Sequence, residues 1–478
     1  MSEPKTSEPS SREGAQASEP LSSEGAQTSE PLSSEGAQAS EPLSTVSATA
    51  AITAGNVASR ITGFLRVLAV GAALGTTFAG NTYQSANLVS NLLFELLAAG
   101  LLSSVLVPPF VRLLDGGDRE GAERLAGSVL GMALVGLGVV TVAALLARPW
   151  IMRLLTVGVD DSAVRDQEVA LGSFLLVLFL PQVLLYALGS VATGLLHGSR
   201  RFAAAAFAPV ANNVIVILTM GVFWALQHSR PGLDLSTTQR LVLGGGTTAG
   251  VLAMILVPLA ALRGAGLRLR PRWNPGDPGL RQLGRDGAWA AGMLALSQVL
   301  LVATLVLANR IEGGVVAYHI AFQVFLLPFA VLGHPVLTAL YPRLASAASG
   351  NRWREFTDRA GGGMAAIAFL TLPASALLVV LARPALRLLQ FGALDPAGAD
   401  LVARLAAAYA LGLGGFAAFQ LLVRASYATG DTRTPTLVGL VVAVGGSAAM
   451  FGGYALGSGG GRLAAVGYGH SLAFLTGA

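Results

Sequence analysis

From Val46 onward the chain is a succession of apolar runs of about 20 residues or more, separated by short connections rich in Arg, Gly and Pro. An α-helix rises ~1.5 Å per residue, so each run is long enough to cross ~30 Å of hydrocarbon. Inside a bilayer the backbone N–H and C=O groups have no water to bind, and a continuous apolar run satisfies them only by becoming helical. The runs fall near residues 48–74, 83–110, 125–147, 169–195, 203–227, 241–262, 287–309, 314–340, 360–382, 401–423, 435–456 and 463–478, twelve in all. The last reaches Ala478 without a flanking charge, which predicts that the natural protein continues past it. Charged residues make up 12% of the chain, against about 25% in soluble domains. The expected fold is an all-α polytopic membrane protein.

Several chemistries are excluded at once. There is no cysteine, hence no disulfide, thiolate nucleophile or cysteine-held metal. The five histidines (His197, His228, His319, His334 and His470) are scattered without the i, i+4 spacing of a helical metal site. No metal or cofactor is expected, and no nucleophile–base pairing suggests an enzyme. The net charge of +5 sits on loop arginines, which fits the positive-inside rule and not a nucleic-acid footprint. With the N-terminus placed inside, the inner connections carry 17 arginines and the outer ones 9. That bias predicts a cytoplasmic N-terminus.

Residues 1–44 are a separate object. Ser-Glu-Pro recurs at Ser7, Ser18, Ser29 and Ser40, a period of 11, among Ser, Glu, Gly and Gln without aromatics. Such a segment cannot bury enough surface to offset the entropy of ordering, so a disordered acidic tail is expected, either a partner-binding or phosphorylatable element or a neutral repeat expansion. It lacks the basic start and immediate apolar stretch of a signal peptide.

The chemistry concentrates in the first two runs. Arg60 and Arg66 lie inside the first, where a central charge costs ~2.5–3.5 kcal/mol on insertion scales. Six residues apart, they project about 120° from one another. Both can still reach one wide cavity if Gly63 between them permits a bend, and Asn56 adds a neutral donor one turn earlier. An anionic ligand held at membrane depth explains the pair; the alternative is that they pair with carboxylates or snorkel to an interface and serve packing. The second run is polar, with Asn81, Gln84, Ser85, Asn87, Ser90, Asn91, Glu95, Ser103 and Ser104. Asn87, Asn91 and Glu95 recur every four residues and share a face that must avoid lipid. Glu95 is the expected counter-ion of an arginine in the first run. In the eighth run His319, Gln323 and His334 either line a cavity or bond to a neighbouring helix. Gly244–Gly246 has no following Lys-Ser/Thr and reads as close helix packing. The arginine-rich connection 263–285 is expected to meet anionic headgroups, at ~1 kcal/mol per residue, or a docking partner.

Taken together, these residues resemble the MurJ/MviN family, lipid II flippases of the multidrug/oligosaccharidyl-lipid/polysaccharide exporter superfamily. The resemblance rests on Ser59-Arg60-Ile61-Thr62-Gly63-Phe64-Leu65-Arg66, Asn91-Leu92-Leu93 leading to Val107-Pro108, Arg201-Phe202 with Phe207-Ala208-Pro209 and Asn213, Gln390-Phe391-Gly392, and above all Arg424 to Pro435 (Arg-Ala-Ser-Tyr-Ala-Thr-Gly-Asp-Thr-Arg-Thr-Pro). It implies two six-helix lobes around a central cavity, a 45–262 N-terminal lobe and a 286–478 C-terminal lobe joined by the 263–285 linker. It also implies an inner-membrane flippase that carries lipid II, a polyprenyl-pyrophosphate, between leaflets by alternating access. Arginine forks bind phosphate oxygens well, and a dry-walled cavity strengthens that attraction.

Arg60 and Arg66 carry over from the family pattern as substrate-binding residues; Asn56, Asn87, Asn91 and Gln323 are the neutral donors expected to join them, with Glu95 compensating charge. Further expected partners are anionic membrane lipids and cell-wall synthesis or division proteins. The family pattern also places arginines where this chain has Phe94 and Gln323, an acidic residue at Asn81 and a glutamate at Ala99. Three readings follow: a flippase working with fewer arginines, a transporter of another polyprenyl-linked or amphipathic substrate, and a transport-inactive scaffold in a cell-wall complex.

Overall fold

Short polar caps and helix breakers cut the apolar runs into helices. The computed structural model describes residues 41–95, 106–227, 231–274, 296, 298–388, 392–459 and 461–478, and every regular element among them is helical. The first half contains α1 (Glu41–Leu74), α2 (Phe78–Phe94), α3 (Val107–Asp115), α4 (Arg119–Leu155), α5 (Ser162–Phe179), α6 (Gln182–Gly198), α7 (Ala203–Ala225) and α8 (Thr237–Gly264). The second half contains α9 (Gln298–Asn309), α10 (Gly314–Pro328), a π-turn (Phe329–Gly333) and α11 (His334–Ser349). It continues with α12 (Trp353–Leu388), α13 (Pro396–Ala410), α14 (Leu413–Ala428), α15 (Arg433–Leu456) and α16 (Gly461–Gly477). Thr77 caps α2 by accepting from Gly80 N at 3.1 Å, Asp118 caps α4, and Ser236 with Gln239 forms a reciprocal capping box on α8.

Among the described residues eight helical stretches are long and apolar enough to cross a membrane, and the bent pair α13–α14 makes a ninth. The fourth expected run is the continuous stretch α5–α6, and the eighth is α10 with its π-turn and α11. The first helix begins at Glu41, earlier than the expected boundary, while residues 1–40 of the predicted tail lie outside the described residues. So do Ala99, Ser103, Ser104, His228, Gln390, Phe391 and the linker after residue 274.

The tenth span bends by 48° between α13 and α14. Carbonyls freed by the bend find hydroxyls: Ser471 Oγ donates to Ala408 O at 2.7 Å, and Ser375 Oγ donates to Ala410 O. This is how a broken helix is tolerated at membrane depth. Gly412 sits at the bend because a Cβ there would lie 2.5 Å from Ser471 Cα.

The helices form two bundles, α1–α8 and α9–α16. In the first, α7 pairs with α8, α2 with α5, and α6 with α4 and α8; in the second, α15 pairs with α16, and α13 with α10, α12 and α16. The two are fastened where α1 ends and α2 begins. Asn81 Nδ2 donates to Ile311 O at 2.8 Å while Val315 N donates to Asn81 Oδ1 at 2.9 Å. Ser85 and Asn309 exchange hydrogen bonds at 2.9 and 3.1 Å. Arg310 Nε donates to Val157 O at 3.1 Å and Ala393 N to Ala72 O at 2.6 Å. Toward the opposite end α1 leans on its own bundle, where Asn213 Nδ2 donates to Thr62 Oγ1 at 3.1 Å.

The start of the arginine-rich linker folds back along α4. Arg272 N donates to Gly127 O at 2.8 Å, Arg268 N to Glu123 Oε1 at 2.9 Å, and Arg119 to Ala265 O at 2.6 Å. Arg268, Arg270 and Arg272 share a recess with Glu120 and Glu123. This part of the linker therefore meets protein carboxylates as well as whatever lies outside.

Candidate functional site

Facing faces of α2, α6, α9 and α10 enclose a cavity of about 520 Å³ between the two bundles. The four-residue periodicity of α2 turns Asn91 and Glu95 into it, together with Leu88 and Leu92. From α10 come Tyr318, His319, Phe322 and Gln323, and from α9 and α6 come Gln298 and Tyr186. The wall is thus aromatic and amide-rich, with a single carboxylate. Of the expected site residues, Asn91, Glu95 and Gln323 meet here, and His319 takes the cavity-lining alternative.

Arg66 is half-buried on α1, and its charge acts on Tyr186 and His319 of this wall and on Tyr83 beneath it. No carboxylate pairs with it among the described residues. Arg60 lies about 9 Å further along the helix. It is exposed, and its charge acts on His334, as does that of Arg424. The two arginines therefore serve different localities: the lean of α1 onto α7 carries its N-terminal half, with Asn56 and Arg60, away from the cavity lining. Asn87 is buried and also absent from the lining, one turn too far toward the fastened end. Glu95 corrects the expected ion pair. Its Oε2 accepts a hydrogen bond from Gln298 Nε2 at 2.6 Å, and no arginine of α1 pairs with it among the described residues. An amide of the opposite bundle does the work assigned to a cation.

Sequence reasoning missed Gln298 and Tyr186. Each is a lone polar tip in an apolar run, and that was the available signal. Phe94, standing where an arginine was expected, packs on Tyr186 with ring centroids 5.2 Å apart. Both rings also line a second, largely apolar cavity of about 370 Å³ inside the first bundle, whose polar groups include Ser190, Thr193 and His197. An arginine at position 94 would have opened that partition to charge.

The Arg424–Pro435 motif builds a turn. Gly430 takes φ +80°, and Asp431 Oδ1 accepts from Arg433 N at 2.9 Å and Thr434 N at 3.0 Å, opening α15. A hydrogen bond from the Thr434 side chain, followed by the backbone bond from Thr434, holds the exposed Asp431 carboxyl below its ordinary range.

The family model described as "Lipid II flippase MurJ" matches residues 70–477. The chain belongs to the MurJ family. A "Probable lipid II flippase MurJ" of Rhizobium meliloti (strain 1021) is 31% identical over 411 residues, covering 84% of this chain and 74% of that protein. A protein of the same description from Synechocystis sp. is 28% identical over 388 residues, covering 80% and 71%. Among solved structures, "Lipid II flippase MurJ, inward closed conformation" superposes with a TM-score of 0.73 at 16% identity, over 89% of this chain and 85% of that one. A multidrug resistance MATE family transporter of the MOP superfamily follows the same fold, with a TM-score of 0.68 at 15% identity, covering 87% and 92%. Membership makes this a multi-pass membrane transporter and not an enzyme.

Proposed function

We propose that this MurJ-family chain flips lipid II, moving a polyprenyl-pyrophosphate from the inner to the outer leaflet by alternating access. The observation that carries the reading is Arg66: half-buried, without a carboxylate partner among the described residues, beside a cavity shared by two bundles. A cation so placed is costly unless an anion visits it. Asn91, Gln298, Gln323 and His319 supply further polar groups around the same space. Arg60, with Arg424 and His334, offers a second basic locality further along α1, suited to receiving a pyrophosphate before it reaches Arg66. Asn56 belongs to this entry side; Asn87 lies buried one turn before Asn91 on the same face of α2.

In the state described, the fastened end is the outer one and is sealed by Asn81, Ser85 and Arg310. On the inner side the cavity is crossed by Glu95–Gln298. The arginine bias of the connections supports that assignment and a cytoplasmic N-terminus. Anionic lipids at the linker and cell-wall synthesis proteins at the tail are the proposed further partners. The lobes are taken as 45–262 and 286–478.

The decisive experiment is replacement of the sole flippase of a bacterium by this protein. Growth is expected with the parent, and loss of growth with Arg66→Ala at unchanged membrane abundance; growth sustained by Arg66→Ala overturns the reading. Losing one charge-assisted phosphate contact of ~1.5–3 kcal/mol weakens binding about tenfold or more. The presence of Phe94 and Gln323 where arginines were expected favours a second reading, a different polyprenyl-linked substrate. That reading predicts no rescue by the parent itself despite normal insertion.

A further inference from the structure

Glu168 takes no part in the cavity. It lies on α5, fully buried, and touches α2 through one contact, Thr82 Oγ1 donating to its Oε1 at 3.3 Å. Thr82 shares that same hydrogen with Phe78 O at 2.8 Å, so the carboxyl receives only part of a donor. Its Oε2 has no hydrogen-bond partner among the described residues.

The helices packed on α5 are α2, α4, α6 and α8. Their titratable groups are engaged elsewhere. Tyr83 of α2 bonds Thr247 of α8 at 2.8 Å, and Tyr186 of α6 lines the cavity. Arg148 of α4 donates to Leu145 O, Arg153 is exposed, and Arg240 of α8 donates to Leu235 O. On α5 itself Arg165 and Asp166 lie toward the N-terminal end. None of them forms an ion pair with Glu168 among the described residues.

An ionised carboxylate needs several donors or a counter-charge to survive burial. Among the described residues this one has a single shared donor and no counter-charge, whereas a neutral acid leaves little unmet. We propose that Glu168 is a proton-binding site, holding a proton on Oε2 in the fastened state and exchanging it with outer water when the fastening opens. The coupling runs through one turn of α2. Asn81 and Ser85 of that turn grip the second bundle, while Thr82 caps the carboxyl. Losing the proton leaves a charge that Thr82 alone cannot solvate, so water must enter and the turn must shift, which breaks the grip. By reciprocity, closing the grip favours taking up a proton. Acid outside then promotes the closed outer gate and alkali promotes its opening.

This inference rests on the two-state reading above, but its test needs no substrate. The chain lacks cysteine, so spin labels can be placed at Val157→Cys and Glu312→Cys, exposed positions on the loops that Arg310 joins. In lipid nanodiscs, electron–electron distance measurements on the labelled parent are expected to shift from a short to a long population as buffer goes from acid to alkaline. Glu168→Gln is expected to stay short in both. Thr82→Val, which keeps the carboxyl and removes its donor, is expected to need more alkaline buffer to open. Infrared difference spectra should show a carboxylic-acid carbonyl band lost on alkalinisation in the parent and missing in Glu168→Gln. The proposal is overturned by a pH-independent parent, by Glu168→Gln opening as the parent does, by an unchanged Thr82→Val profile, or by a titrating band that survives in Glu168→Gln. Failure to move lipid II with these responses intact would sink the flippase reading alone.

Discussion

Asn81 carries more of this state than its size suggests. It is fully buried, and its amide donates to one backbone group and accepts from another on the opposite bundle. An aspartate there would keep the acceptor and lose the donor toward Ile311 O. Truncation removes both bonds and leaves a buried N–H and C=O unmet, at ~1–3 kcal/mol each. Asn81→Ala is therefore expected to raise the outward-open population at least several-fold. Maleimide labelling of a Val315→Cys probe, buried in the fastened state, should speed up accordingly. Unchanged labelling would mean that the neighbouring Ser85–Asn309 and Arg310–Val157 bonds hold the end without it. Arg66 illustrates the opposite economy, a charge with no carboxylate partner among the described residues, where the proposed function has a visiting anion take the place.

At the scale of helices, breaks matter as much as lengths. The α13–α14 bend exists because Ser375 and Ser471 accept the duty of bonding freed carbonyls and because Gly412 lets α16 come close. Gly412→Leu would drive a side chain into Ser471, and overpacking of this kind costs ~1–3 kcal/mol or more. The midpoint of thermal unfolding in detergent should fall by several degrees. Gly430→Ala is the contrast: φ is +80° but nothing lies within 4 Å of the added Cβ. Only the ~1–2 kcal/mol left-handed backbone penalty applies there. Gly412 itself has an ordinary φ of -87°, so a Gly412→Leu loss no larger than that of Gly430→Ala would show that the contact with α16 yields and that packing at the bend is not tight. The turn around Gly430 is also where the sequence looked most like a family signature, and its residues prove to be turn-formers and helix caps.

Seen whole, the molecule is two bundles fastened at one end and bridged more lightly across the cavity. Alternating access asks for this asymmetry, because one end must hold while the other yields. The orientation assigned to those ends is open to a direct check. Ser10→Cys in the cysteine-free chain should react with an impermeant maleimide only after spheroplasts are opened, while Glu312→Cys should react in intact spheroplasts. The reverse pattern would invert the outer and inner assignments and with them the direction in which acid acts on Glu168.

Much of this was legible in the residues themselves. Run length and composition determined that the chain is a helical membrane protein, because a continuous apolar run of about 20 residues in hydrocarbon satisfies its own backbone only as a helix. The four-residue spacing of Asn91 and Glu95 determined that they share a face, because helical geometry is local. Three things were decided only in the tertiary structure. Glu95 meets Gln298, more than 200 residues away, and not an arginine of α1. Arg60 and Arg66 separate because the close approach at Gly55 and the Asn213–Thr62 bond tilt α1 against α7. Among the described residues Glu168 keeps Thr82 as its one hydrogen-bond partner because four helices close around it. Periodicity tells which face of a helix a residue occupies; which neighbour that face meets, and how much water stays between them, depends on contacts that no single segment encodes.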